Sequence, residues 1–347
     1  MQFAEAVRYL LSLGHETLAI KLGLKNTELL LQRLGSPEQS YFSVQIAGTN
    51  GKGSTAAMLA AICRAAGIKA GLYTSPHLSS ITERIQTASK EISREKFAEC
   101  TSKVRLAAEG LHAEGKIEAL PTFFEQVTAI ALLAFNEARV DLAILETGLG
   151  GRLDATTAAG AELVGITPIA MDHEEHLGKT ITSIAAEKAA IIRPGVTAII
   201  AQQADEVLEV ILERSESCGV IPSVNECETR LEALSETGRP RVTFKTKADS
   251  YESVWLGMLG RHQVTNASVA LRIAESLRDR GFQIPRQAII EGLRATRHPA
   301  RLELFEGEPR LLLDGAHNPS GARALREYLD EFVDGPITMV FGAMRDK

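Results

Sequence analysis

The stretch YFSVQIAGTNGKGSTAAMLAAICRAAGIKAGLYTS, residues 41–75, decides the fold. Tyr41 to Ala47 is a short run of β-favouring residues, and the heptapeptide Gly48-Thr49-Asn50-Gly51-Lys52-Gly53-Ser54 follows it. Thr55 to Ala66 is rich in Ala, Leu and Ile and suits a helix. Gly67 ends that helix, and Ile68 to Ser75 reads as a second strand. Strand, glycine loop, helix, strand is a βαβ unit, which implies a parallel sheet. A helix opening directly on such a loop turns its unpaired N–H groups and its positive end toward an anion. The spacing departs from G-x-x-x-x-G-K-[ST] twice: Ile46 stands at the first glycine position, and Gly53 separates Lys52 from Ser54. A plain glycine turn is the bland alternative. The strand-to-helix context favours ATP, with Thr49, Asn50, Gly51, Lys52, Gly53 and Ser54 cradling phosphates. Lys52 would supply a point charge to the outer phosphates, and Ser54 or Thr55 could reach a metal or a phosphate oxygen. The loop alone names no reaction, because kinases, switches, motors and ligases all use one.

Outward from this unit the alternation continues. Phe123 to Ala138 is helical, Val140 to Gly148 is an apolar strand of the doubly buried kind, and Glu162 to Ile169 is another strand. Thr182 to Ile192 reads as helix and Val196 to Ala201 as strand. Residues 220–257 change character, with RVTFKTK and SVWLGML as short strands around polar turns, a small β-rich appendage. Asn266 to Arg280 and Arg286 to Leu293 return to helix. Pro299 discourages helix before it and suggests a boundary near Thr296. Beyond it come strand Arg310 to Asp314, helix Ser320 to Phe332 and strand Ile337 to Ala343. The N-terminal MQFAEAVRYLLSLG reads as an amphipathic helix.

With 347 residues, two domains are expected. Hydrophobic residues at 45% and charged residues at 24% are those of a globular protein, so wholesale disorder is excluded. A net charge of -6 argues against nucleic-acid binding by bulk charge. Cys63, Cys100, Cys218 and Cys227 show no C-x-x-C pair, so neither a zinc knuckle nor a redox dithiol is suggested. Cys218 and Cys227 could form a disulfide, but scattered cysteines are ordinary cytosolic usage. No apolar run approaches the roughly 20 residues needed to span a bilayer. The reading is therefore a cytoplasmic protein with small-molecule partners, no nucleic acid, no membrane, and a monomeric state.

Several polar residues sit where strands end. Glu146 closes LAILETG, a position that faces the ligand crevice in parallel sheets and suits Mg²⁺. A structural pairing with Arg152 is the alternative. Met171 to His176, MDHEEH, also follows a strand; H-E-E-H lacks zincin spacing, and either His173 contacts a metal or phosphate, or the loop is merely solvated. Lys188, in an apolar helix beside Glu187, reads from the residues alone as an exposed or ion-paired lysine. DGAHNP, residues 314–319, is a compact polar turn.

Taken together, GTNGKGS, LYTSPHL, ERI, TFFEQVTA, LETGLGGRLDAT, MDHEEHLG, IAAEKAAIIRPG, GRHQVTNASVA, ARLE and LLDGAHNP resemble, in that order, the folylpolyglutamate and dihydrofolate synthases of the Mur ligase superfamily. The resemblance runs from about Leu22 to the last residue. It implies an α/β fold: a P-loop parallel-sheet ATPase domain with its β-rich appendage over residues 1–296, and a partial Rossmann-like C-terminal domain over 297–347, with the active site between them. Further implied are Mg²⁺ ligation by Ser75, Glu146 and His173, and a carbamylated Lys188 helping to hold a second Mg²⁺. Lys52, Lys188 and His173 become the catalytic set. Asn266, Arg301, Asp314 and His317 would touch the nucleotide. The pterin-bearing substrate would lie near Leu22, Gly23, Thr122, Phe123, Phe124, Glu125, Leu153, Asp154 and Ala155.

The chain departs from the family pattern at Thr157, where DATN has asparagine, at Ala190 and Arg193 in EKAAIIRPG, and at Ala300 before the arginine of ARLE. Family members also continue beyond GAMRDK, which makes the second domain expected to be incomplete. The implied reaction is ATP-dependent addition of L-glutamate to tetrahydrofolate, and to dihydropteroate, through an acyl phosphate. Its rivals are a Mur-superfamily ligase acting on a UDP-linked sugar acid, which TSPHL and TFFE oppose, a P-loop nucleotide switch, and a non-enzymatic interaction protein.

Overall fold

The computed structural model describes residues 1–14 and 23–342. The elements begin with α1 (Phe3–Ser12), α2 (Lys25–Arg33), β1 (Phe42–Ala47), α3 (Lys52–Ala65), β2 (Ala70–Tyr73), β3 (Ile85–Thr87) and β4 (Lys90–Glu91). They continue with α4 (Arg94–Ala113), α5 (Phe123–Ala138), β5 (Leu142–Glu146), β6 (Leu163–Ile166), α6 (Glu174–Leu177), α7 (Ile181–Ala189) and β7 (Thr197–Ile200). Then come α8 (Asp205–Ser217), β8 (Ser223–Val224), β9 (Glu228–Leu234), β10 (Pro240–Lys245) and β11 (Ser250–Trp255). The described chain closes with α9 (Gln263–Asp279), α10 (Arg286–Ala295), β12 (Glu303–Phe305), β13 (Leu311–Leu313) and α11 (Pro319–Phe332). It divides into two compact units, Met1–Gln45 with Ile68–Leu163, and Ile46–Gly67 with the chain from Val164 onward.

The first unit carries the strand order β4-β3-β2-β5, then the opening residues of β1. β2 and β5 run parallel, with Leu72 opposite Ile144, whereas β3 pairs antiparallel with β2. Every residue of β5 is buried, as a strand covered on both faces requires. Helix α5 packs here through an almost continuous apolar surface, and Tyr41 donates its hydroxyl to the Leu132 carbonyl at 3.0 Å. The N-terminal helix is amphipathic as expected: Ala6 and Leu10, one turn apart, are buried, and Phe3 meets Phe97 of α4 edge-on. Helix α4 was not legible in its mixed polar sequence; Ser93 caps it by accepting from the Lys96 N–H.

The second unit holds the rest of β1, then the order β6-β7-β8, with β7 and β8 parallel. The β-rich appendage is the three-stranded antiparallel sheet β11-β10-β9. A hairpin, β12 and β13, precedes α11. One expectation fails: residues 337–342 form no strand among the described residues. Their apolar sequence suits one, but they pair with no described strand, and Ile337, Met339, Val340 and Phe341 stay exposed.

Candidate functional site

The loop after β1 is shaped by what surrounds it. Gly48 has φ +145° and Gly51 φ +90°, the left-handed region that favours glycine. A Cβ on Gly48 would lie 1.9 Å from Thr167 Oγ1, and one on Gly51 would lie 2.1 Å from Asn266 Oδ1. Two backbone amides, Thr49 N–H and Asn50 N–H, donate to the Pro168 carbonyl at 3.1 and 3.3 Å. Thr49 Oγ1 donates to the Ala170 carbonyl at 2.9 Å and accepts from Ala170 N–H at 3.0 Å. Helix α3 starts at Lys52, three residues earlier than its sequence suggested, and Gly51 gives it no side-chain cap. A helix start without a side-chain cap turns its first-turn N–H groups toward the loop, where an anion would be favoured. Lys52 Nζ donates to the Thr49 carbonyl at 3.1 Å, within the same loop. Gly53, Ser54 and Thr55 are buried in the first turn, and Thr55 Oγ1 faces the Asn266 carbonyl at 3.5 Å.

Lys188 is where residue-by-residue reading failed. Its side chain is buried on α7 and donates to the Gly48 carbonyl at 2.8 Å, tying that helix to the loop. Its apolar neighbours in sequence gave no sign of that burial. His173 is half-buried with φ +49°, and its N–H donates to Asp172 Oδ1 at 2.9 Å. Glu174, Glu175 and His176 are exposed and form most of the short helix α6 rather than a loop.

The nucleotide candidates of the second unit have defined places. Asn266 is buried on α9 and donates to Gln263 Oε1 at 2.9 Å. Asp314 accepts from Leu302 N–H and Ala316 N–H, both at 2.8 Å, so its carboxylate organises the turn it belongs to. Arg301 donates to the Ala300 carbonyl at 3.0 Å. His317 is exposed, with Nδ1 2.7 Å from the Gly315 carbonyl oxygen and Nε2 3.7 Å from Asp172 Oδ2.

The first unit holds the other candidates. Glu146, buried at the carboxyl end of β5, accepts from Ser75 N–H at 3.1 Å, so those two proposed ligands are neighbours. Arg152 is exposed. Thr122 and Glu125 form a capping box at the start of α5, and Glu125 Oε1 also accepts from Thr27 Oγ1 at 3.2 Å. Phe123 is buried. Phe124 reaches over Gly148, where a Cβ would lie 2.5 Å from its ring. That glycine therefore makes room for an aromatic ring. Asp154 is buried and accepts from Leu149 N–H at 2.9 Å and Thr156 N–H at 3.0 Å, while burial raises its pKa. Leu153 is half-buried and Ala155 buried. Among the described residues, none lies within 4 Å of a Cβ built on Gly23, and Leu22 lies outside the described residues.

Two residues escaped the sequence reading. Asp172 contacts both the His173 backbone and the DGAHNP turn, and Asn318 of that turn donates to Asp172 Oδ2 at 3.1 Å. The signal for Asn318 was available: asparagine before proline at a helix start is a cap. Among the described residues, no three His, Cys, Asp or Glu side chains gather as a metal cluster.

The family model for the Mur ligase middle domain matches residues 46–274, and that for the Mur ligase glutamate ligase domain matches residues 300–347. The dihydrofolate synthase/folylpolyglutamate synthase of Bacillus subtilis is 36% identical over 338 residues, covering 96% of this chain and 78% of that protein. A probable bifunctional folylpolyglutamate synthase/dihydropteroate synthase of Haloferax volcanii is 36% identical over 355 residues; the match covers all of this chain, which spans 41% of that longer protein. Among solved structures, the Mycobacterium tuberculosis folylpolyglutamate synthase complexed with ADP and AMPPCP superposes with a TM-score of 0.84 at 34% identity, over 95% of this chain and 75% of that one. The phosphate loop, the strand-end carboxylate and the ordered motifs around them thus place this chain in the folylpolyglutamate synthase/dihydrofolate synthase family of Mur ligases.

Proposed function

We propose that this chain is an ATP-dependent ligase that adds L-glutamate to tetrahydrofolate, and to dihydropteroate as a second acceptor, releasing ADP and phosphate. The observation that carries this reading is the loop at residues 48–54: two glycines held where no Cβ fits, an uncapped helix start, and Lys52 beside it. Such a loop suits the phosphates of ATP, the nucleotide whose analogue the tuberculosis relative holds. Residues 1–296 would act as the ATP-binding domain and 297–347 as part of the glutamate-ligase domain, a division supported by the two matched family spans.

The chemistry follows from the poor reactivity of a carboxylate. A folate carboxylate oxygen attacks the γ-phosphorus of ATP, the bond to the β-phosphate oxygen breaks, and an acyl phosphate and ADP result. The α-amine of glutamate then attacks the acyl carbon and phosphate departs. In this scheme Lys52 and the α3 N–H groups offset charge on the phosphoryl being transferred. Asn266, Arg301, Asp314 and His317 would position the nucleotide. Thr122 to Glu125 and Leu153 to Ala155, with Leu22 and Gly23, would receive the pterin. Glu146 and Ser75 carry the hard oxygens that Mg²⁺ prefers and are proposed as its ligands, and His173 is proposed as another. Mg²⁺ would supply Lewis-acid charge neutralisation at the phosphates. Lys188 is proposed as the carbamylated lysine that helps to hold a second ion.

Incubation with ATP, Mg²⁺ and labelled glutamate, offering each acceptor separately, tests the reading. ADP, phosphate and a glutamylated product are expected, with the product lost in Lys52→Ala. AMP and pyrophosphate, or no incorporation with either acceptor, would overturn it.

A further inference from the structure

Asn318 stands at the N-cap of α11, and its side-chain amide is saturated. Its Oδ1 accepts from Gly321 N–H at 2.8 Å and from Asn50 Nδ2 at 3.3 Å. Its Nδ2 donates to Asn50 Oδ1 at 3.0 Å and to Asp172 Oδ2 at 3.1 Å. A primary amide has two N–H donors and two lone pairs on oxygen, and here all four are used. The orientation of the amide is fixed by its partners, because a flipped group would point N–H at the Gly321 N–H and oxygen at the Asp172 carboxylate. Asn50 belongs to the phosphate loop and Asp172 precedes His173, while Asn318 closes the DGAHNP turn. The reciprocal amide pair therefore joins three segments, 268 positions apart for Asn50 and Asn318, at a residue that is 6% exposed.

No other side chain fills this role. Aspartate would set a second carboxylate against Asp172 and lose both donors. Serine would keep the helix cap but could not span to Asn50 and Asp172 together. Glutamine carries the amide on a stem one methylene longer, and a buried site cannot absorb that without moving.

We propose that Asn318 is a positioning residue: through its amide pair with Asn50 it sets the phosphate loop, so that ATP affinity depends on docking of the 314–319 turn. The proposal rests on the ligase reading above. Asn318 acts through Asn50 and holds no reacting atom itself.

The test is a double-mutant cycle on the full chain with Asn318→Ser, which keeps the α11 cap, Asn50→Ala, and the pair combined. ATP affinity is measured by calorimetry with Mg²⁺ present, the KM for ATP and for folate by turnover, and integrity by thermal melting. Losing the two hydrogen bonds to Asn50 should weaken ATP binding on the order of ten- to a hundredfold. The double variant should be no weaker than the worse single one, with the melting midpoint and the folate KM preserved. Asn318→Asp, which adds repulsion from Asp172, should be worse than Asn318→Ser. Additive losses, or unchanged ATP affinity in Asn318→Ser, would overturn the clasp and leave the ligase reading intact. A wild-type chain that turns over with the expected products but shows no coupling also sinks the clasp; one that binds no ATP sinks the ligase reading and the clasp with it.

Discussion

Lys188 Nζ lies 2.8 Å from the carbonyl oxygen of Gly48, so a buried amine on α7 holds the first residue of the phosphate loop in place. A carbonyl that gives up water for a single protein donor loses about 1–3 kcal/mol when that donor is removed.

Lys188→Met keeps the length and apolar stem of the side chain but removes the donor. The expected result is a fall in kcat/KM for ATP of at least roughly five- to 150-fold, the kinetic equivalent of that hydrogen bond, and larger by whatever the proposed second ion contributes. Steady-state kinetics beside a melting curve checks it; a variant that turns over at the native rate would show the contact to be idle.

Gly51→Ala tests the shape of the loop. An alanine at φ +90° costs roughly 1–2 kcal/mol in backbone strain, and its Cβ overlaps Asn266 Oδ1 as well. ATP binding should weaken by about 100-fold or more, since strain and clash add to roughly 3 kcal/mol. Gly67→Ala is the control, with φ +75° and nothing within 4 Å of the new Cβ. It should cost stability without touching ATP affinity, and equal effects on affinity at both sites would refute the steric account.

The capping box of α5 makes an ordered prediction. Thr122→Ala should lower stability by about 1 kcal/mol, the usual worth of an N-cap. Glu125→Ala should cost more, about 2–3 kcal/mol, because the Thr122 N–H and the buried Thr27 hydroxyl both lose their acceptor. Urea midpoints decide the matter, and the reverse order would count against the assigned bonds.

Thiol labelling checks the burial pattern. All four cysteines are free, and burial pushes the Cys63, Cys100 and Cys227 thiols up to about 12. At pH 8 their thiolate fraction is then on the order of 10⁻⁴, against about a quarter for an ordinary thiol. Only half-buried Cys218 should react in the native state, and four thiols in denaturant. Rapid labelling of three or four native thiols would contradict this packing.

The legible parts of the site were those whose chemistry is local. Glycines and a lysine between a strand and a helix, and a carboxylate ending an apolar strand, can be recognised within a few residues: Glu146 ends β5 and the loop lies between β1 and α3, although α3 begins at Lys52 rather than Thr55. Lys188 was opaque because burial is not a local property. An apolar helix flank reads the same whether it faces solvent on one side or a loop carbonyl. The role of Gly148 was opaque for a related reason, since the ring that needs its missing Cβ is Phe124, two dozen residues earlier.

By itself the sequence determined the βαβ start, the phosphate loop, a β-rich appendage and the family, because these rest on periodicity, glycine placement and ordered motifs. Only the tertiary structure decided that Gly48 is bound by a buried lysine, that residues 337–342 find no described strand to pair with, and that Asn50, Asp172 and Asn318 share one amide. Hydrogen bonds between residues hundreds of positions apart depend on where the chain brings donors and acceptors, and no window of neighbouring residues carries that information.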